Sequence, residues 1–176
     1  MKKLVLIFFS SMLLFSCGKD KKAATEDAKN VDVKEVSGIS VTIEGIYEKD
    51  DSLSVVFKQN GYYAYNKAVP FKVKGSPLMQ QLTINLPAGE TVDNIAMMAS
   101  SNKDQKYLTL KSIAVKNGDD EVVKNTDNFT TYFLFDECFK FDSTADGKSF
   151  RYVMDHTKKY QPGIAGSEQL EALLVK

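Results

Sequence analysis

Ile39-Ser40-Val41-Thr42-Ile43-Glu44 and Leu53-Ser54-Val55-Val56-Phe57 decide how this chain folds. In each stretch apolar side chains stand at alternate positions with small or polar residues between them. That is the period of a β-strand with one face turned to a core. Glu48-Lys49-Asp50-Asp51-Ser52 lies between them and reads as a polar turn. The pair is therefore expected to form a β-hairpin.

The same period continues downstream. Asn60-Gly61 suits the positive φ angles of a tight turn, and Tyr62, Tyr63 and Tyr65 follow it. Val69, Phe71 and Val73 alternate, with Pro70 delaying that strand or placing it at an edge. Leu82, Ile84 and Leu86 make the clearest strand, ended by Pro87-Ala88-Gly89. Residues 95–99 are more uniformly apolar, as in a strand covered on both faces. Leu108 and Leu110 share one parity and Ile113 and Val115 the other, which predicts a bulge near Lys111-Ser112. Asn117-Gly118-Asp119 and Asp146-Gly147 mark further turns. Phe129, Phe133, Phe135, Phe139 and Phe141 all fall at odd positions and are expected to face one side as core. Only the end reads as helix, with Ser167 as N-cap, Glu168 in the first turn, and Leu170, Leu173 and Leu174 at i, i+3, i+4. Strands recurring at spacings of roughly 8–12 residues predict a mainly β protein, an antiparallel β-sandwich with one short C-terminal helix.

The beginning of the chain follows a different logic. Lys2 and Lys3 precede an apolar run over residues 4–15, interrupted by Ser10 and Ser11. A bilayer span takes roughly 20 apolar residues, so this run is too short to cross and has the length of the apolar core of a secretory signal peptide. It stops at Leu14-Phe15-Ser16-Cys17, after which Gly18-Lys19-Asp20-Lys21-Lys22 is abruptly polar. Run, small residue and cysteine together resemble the lipobox of bacterial lipoproteins. The resemblance implies cleavage after Ser16, acylation of Cys17 and attachment to a membrane. Gly18, where an Asp would retain some lipoproteins in the inner membrane, favours the outer membrane and leaves the facing direction open. Each buried lipid CH₂ contributes about 0.8 kcal/mol, so several acyl chains hold firmly. Residues 17–35 carry too little apolar area to offset their ordering entropy and are expected to form a flexible tether. The expected organisation is a signal peptide over 1–16, a lipidated tether over 17–35 and a β-sandwich domain over 36–176.

Composition narrows the function classes. The 23 basic and 23 acidic side chains balance, and loss of Lys2 and Lys3 with the signal leaves the rest slightly acidic. Nothing here argues for a nucleic-acid partner. Every basic residue but Arg151 is a lysine, whereas bidentate clamping of phosphate or carboxylate favours Arg. With Cys17 acylated, Cys138 has no disulfide partner and reads as a small buried side chain. One His, no CxxC and no HExxH give no reason to expect a metal or other cofactor.

Sites of chemistry are correspondingly few. His156, between Asp155 and Thr157, has no GxSxG serine to activate and reads as a surface residue. Asp142-Ser143-Thr144-Ala145-Asp146-Gly147 starts like a calcium loop but has Thr144 at the third ligand position and Val153 at the twelfth, so a polar hairpin turn explains it. No catalytic residue is expected. Tyr62-Tyr63-Ala64-Tyr65 has ligand potential, because adjacent aromatics on a strand cannot all face inward. An exposed tyrosine offers a flat apolar ring with a polar tip, a surface used for sugars and for protein partners. The plainer alternative packs one ring in the core and lays the other over a sheet edge.

Taken in order, Leu53 to Phe57, Asn60-Gly61 with its tyrosines, Val69 to Val73, Leu82-Thr83-Ile84-Asn85-Leu86-Pro87-Ala88-Gly89 and Leu108-Thr109-Leu110-Lys111-Ser112-Ile113-Ala114-Val115 form a pattern. Over residues 39–123 it resembles the jelly-roll, carbohydrate-binding-module-like domains of bacterial cell-surface polysaccharide enzymes. The resemblance implies a jelly-roll-like sandwich and carries over no binding residue; those modules often use Trp, and this chain has none. The reading that follows is a non-catalytic envelope module binding glycan through Tyr62, Tyr63 and Tyr65. The alternative is a structural or interaction subunit docked on another envelope protein.

Overall fold

The structure is a computed structural model and describes residues 38–176 apart from 146, 159 and 160. The segments expected to form a signal peptide and a tether, with Cys17, lie outside the described residues. The first half of the body contains β1 (Ile39–Ile46), β2 (Asp51–Gln59), β3 (Tyr62–Tyr63), a 3₁₀ turn (Tyr65–Lys67), β4 (Val69–Val73), β5 (Gln80–Asn85) and β6 (Asn94–Met98). The second half contains β7 (Tyr107–Asn117), β8 (Asp120–Val123), α1 (Phe129–Tyr132), β9 (Phe133–Phe135), β10 (Phe139–Ala145), β11 (Ser149–Met154), β12 (Gly163–Gly166) and α2 (Glu168–Leu174).

The strands build two six-stranded antiparallel sheets. The first runs β10-β11-β7-β1-β5, with β8 also on β7; the second runs β9-β12-β6-β2, with β3 and β4 both on the free edge of β2. Strands that are neighbours in sequence hold the same rank in opposite sheets: β9 with β10, β12 with β11, β6 with β7, β2 with β1, β4 with β5. The chain thus wraps both layers together, in the jelly-roll-like manner expected.

This wrapping overturns the predicted hairpin over residues 39–57. β1 bonds to β5 and β7, and β2 bonds to β3, β4 and β6, so the two strands belong to different sheets. Two strands side by side and two strands face to face across a core each show one apolar parity, so alternation alone does not separate the cases. Val41 and Ile43 in one layer and Val55 and Phe57 in the other are all buried in a single cluster.

The polar turn is an arch between layers, and a carboxylate closes it. Asp51 accepts hydrogen bonds from the backbone N–H groups of Ser52 (2.7 Å), Ser101 (2.9 Å) and Asn102 (2.9 Å), and from the Ser100 hydroxyl. These bonds tie the β1–β2 arch to the segment that leaves β6. Beside it the buried Tyr47 hydroxyl donates to the Ala99 carbonyl at 3.2 Å. Burial pushes that phenol above its ordinary pKa, and the Asp51 charge adds to the effect.

Other sequence signals take the expected form. Asn60 (φ 50°) and Gly61 (φ 84°) close the β2–β3 turn. Glu44 faces Ser112 and Gly45 faces Leu110, which leaves Lys111 as the bulged residue of β7. Pro70 lies in β4, on an edge. The Ser167 hydroxyl accepts from the Leu170 N–H at 3.4 Å and caps α2, whose Leu170 is fully buried.

The phenylalanine row is corrected in two respects. Asn128 caps a short helix by accepting from the Thr130 N–H at 3.2 Å, so Phe129 enters the core from α1, not from a strand. Phe141 is 54% exposed, because β10 is the last strand of its sheet and nothing beyond it covers the ring. Phe135, between them, stacks on Tyr152 with ring centroids 4.5 Å apart. The 3₁₀ turn and β12 were likewise not legible as elements.

Asp51→Ala removes the acceptor shared by the buried Ser100 hydroxyl and three part-buried backbone N–H groups, a loss of about 1–3 kcal/mol. Urea unfolding is expected to show this as a lower midpoint with unchanged slope.

Candidate functional site

Alternation along the second sheet sets which side chains leave the core. On its outer face β2 presents Val56, β6 presents Ala96, β12 presents Ala165 and β9 presents Leu134, and the registers align these four as one rung. The next rung carries Ser54, Met98 and Gly163. Across the middle of these rungs lie Ala96, Ala165 and Gly163, with Met98 the one long side chain among them, so most of the face sinks toward the backbone. Taller residues bound it, with Tyr63 and Tyr65 on one side and Leu134 on the other. The result is a trough of about 410 Å³. β6 is therefore covered on one face only, contrary to the expectation for residues 95–99; Ala96 and Met98 are half-buried at the trough floor.

The tyrosine segment divides. Tyr63 stands opposite Lys58 in the β2–β3 ladder and faces outward with it. Its ring centroid is 6.4 Å from that of Tyr65, with the planes tilted by 50°. Tyr62 has the other parity, does not line the trough and is 82% exposed. Burial raises the Tyr63 hydroxyl above its ordinary pKa, with Lys58 opposing and Glu171 and Tyr65 adding to the rise.

Three ties hold the aromatic wall in place. The positive-φ turn reverses the chain, and the Ala64 N–H then donates to the Phe57 carbonyl at 2.9 Å. Lys67 reaches Glu90 at 2.8 Å, and the Gln59 amide donates to the same carboxylate at 2.8 Å. The Lys67 ammonium, then the Gln59 amide, hold the Glu90 carboxyl below its ordinary 4.5. At one end of the trough sit Gln161 and Asp136. The Asp136 carboxylate accepts from the Cys138 N–H (2.9 Å) and the Gly163 N–H (3.0 Å). A Cβ on Gly163 would come within 3.1 Å of that carboxylate, so glycine keeps this end open. Beyond Tyr63, Lys58 and Glu171 pair at 2.8 Å, with the Asn94 amide donating to Glu171 at 3.0 Å. Lys58, then Asn94, lower the Glu171 pKa.

Sequence reasoning found the tyrosines and missed the floor. The signal lay in Gly163-Ile164-Ala165-Gly166, where small residues alternate around one apolar residue. The other weighed residues fall elsewhere. Cys138 is buried. His156 Nε2 lies 3.1 Å from the Gln105 carbonyl oxygen. Asp142 is in β10, with Arg151 at 3.7 Å. Among the described residues no group of three or more His, Cys, Asp or Glu is placed to hold a metal, and no helix is long and apolar enough to cross a membrane. No protein-family model, no curated protein and no solved structure matches this chain.

The lowered Glu90 pKa fixes a sign. A carboxyl whose folded pKa is depressed contributes stability above its ordinary value and loses it as pH falls through the folded value. Protection of the Ala64 amide from hydrogen exchange is expected to drop roughly threefold as pH falls below about 4.5, the scale of an exposed ion pair. Glu90→Gln should show the lower protection at neutral pH and no further step.

Proposed function

We propose that residues 36–176 form a non-catalytic glycan-binding module, held at the outer membrane of a bacterial envelope by acyl chains on Cys17 and spaced from it by residues 17–35. The observation that carries the glycan reading is the pair of tyrosine rings 6.4 Å apart beside a floor of Ala96, Gly163 and Ala165. A sugar ring has an apolar C–H face and a hydroxyl edge. Tyrosine meets both at low cost in side-chain entropy, and the two alanines and one glycine of the floor let the ring come close to the backbone. Gln161 and Asp136 supply polar partners at one end. The non-catalytic reading is supported by the commitment of the Asp136 carboxylate to backbone N–H groups.

A second reading, a subunit that docks on another envelope protein, is favoured by Leu134, which is 58% exposed at the lip. The same trough would then receive a side chain of the partner.

The envelope assignment rests on the lipobox-like stretch ending at Cys17. Mass spectrometry of protein from washed membranes is expected to find an N-terminal peptide beginning at acylated Cys17, and Cys17→Ser is expected to release the body. An unmodified N-terminus downstream of Cys17 contradicts the assignment.

The binding reading is tested on a glycan array. Tyr63→Ala with Tyr65→Ala is expected to weaken the best-bound glycan by about tenfold or more, as loss of central aromatic anchors does. Ala165→Leu, which fills the floor, should do the same, while Tyr62→Ala changes little and all variants keep their melting temperature. Glycan binding indifferent to the tyrosine pair contradicts the trough. A co-purifying protein lost with the same variants, and no glycan bound, supports the docking subunit instead.

A further inference from the structure

A second concavity lies around Lys140, Val153 and Tyr107, which the registers of β10, β11 and β7 place on one rung. Tyr152 and Met154, the neighbours of Val153 in β11, are buried in the core, so this rung belongs to the outer face of the first sheet. The depression has a volume of about 790 Å³. Tyr107 and Val153 give it an apolar floor, and the Arg151 guanidinium lies 3.9 Å from the Tyr107 ring centroid.

Lys103, Lys106, Lys140 and Lys158 stand around it, with His156. Its acids are Glu137 and Asp155. The Asp155 carboxylate accepts from the Thr157 N–H (2.9 Å) and hydroxyl (2.6 Å), which lower its pKa. Lys158 donates to the Glu137 carbonyl at 3.0 Å. Elsewhere Lys58, Lys67, Lys74, Lys111 and Lys116 each have a carboxylate partner, while Lys49, Lys72 and Lys124 have none among the described residues. Among the described residues Lys103, Lys106 and Lys140 have none. In a chain of balanced charge, three unpaired ammonium groups around one apolar floor form a local positive field that attracts an anion.

We propose that this depression binds an acidic sugar unit, a uronate, with its ring on Tyr107 and Val153 and its carboxylate among Lys103, Lys106 and Lys140. The positive rim calls for an anion independently of the trough. The choice of a sugar as the anion's body rests on the glycan reading above, and the open shape, which gives an alkyl chain little to bury in, agrees with it.

The probe is trigalacturonate, titrated into the full-length chain by calorimetry, with galactotriose and acetate as controls. Trigalacturonate is expected to bind and galactotriose to bind more weakly. Lys103→Ala, Lys106→Ala and Lys140→Ala together should weaken trigalacturonate roughly tenfold, the sum of three exposed charge contacts. Raising salt from about 20 to 200 mM should weaken it similarly by screening. The triple variant, changed only at exposed positions, should melt with the parent. Binding that survives the triple variant, or no binding of trigalacturonate, overturns the proposal. Acetate competing at equal carboxylate concentration overturns the sugar assignment. Tyr63→Ala with Tyr65→Ala is expected to leave trigalacturonate binding unchanged. If it abolishes binding while the lysine variant does not, the acidic-sugar site falls and the trough reading stands.

Discussion

Contact between the two inner faces organises this body. Each strand gives one parity to the shared core, where Val41, Ile43, Leu110 and Ile113 of one sheet belong to the same buried cluster as Val55, Phe57, Ile95 and Met97 of the other. A buried aliphatic or aromatic side chain contributes about 1.5–3 kcal/mol, so a register slip that exposed this parity would cost most of the stability. Where neighbours in sequence stack across that contact, as β1 with β2 and β9 with β10 do, the crossing between layers is a short arch. Asp51 shows how an arch is closed with charge, by collecting three part-buried backbone N–H groups on one carboxylate.

The same constraint leaves the outer faces to be specified independently. On the second sheet, Ala96, Ala165 and Gly163 sit on central strands already fixed by the core, so the floor of the trough is rigid without contributing to packing. The aromatic wall is attached from outside by a two-residue turn and the Lys67–Glu90 pair. A wall held in place before a ligand arrives loses little entropy on binding. On the first sheet the outer face carries lysines around Tyr107 and Val153. One core thus presents a largely apolar concavity with a carboxylate at its end on one side and a lysine-rimmed one on the other.

Much of this was readable in the residues. Period two gave the strands, Asn60-Gly61 the turn, the parity change at Lys111 the bulge, and Ser167 the start of α2. What escaped was partnership. Ile39-Ser40-Val41 and Leu53-Ser54-Val55 look the same whether they pair through hydrogen bonds or through side chains across a core. Residues 163–166 escaped because Gly and Ala carry little apolar signal, although their smallness is what makes the trough. Phe129 followed the parity of Phe133 by coincidence of a helical turn capped by Asn128. Exposure of Phe141 depended on β10 being an edge, which is a property of the whole sheet.

The central claim is that a sugar lies on Ala96 and Ala165 between the tyrosines and Leu134. Methyl-detected NMR of the alanine-labelled chain tests it most directly, because a methyl in the floor reports any ring laid over it. On titration with an oligosaccharide that binds, the methyls of Ala96 and Ala165 should shift, while those of Ala88, Ala114 and Ala172 stay in place. Shifts confined to other alanines, with Ala96 and Ala165 unmoved at saturation, would contradict the account.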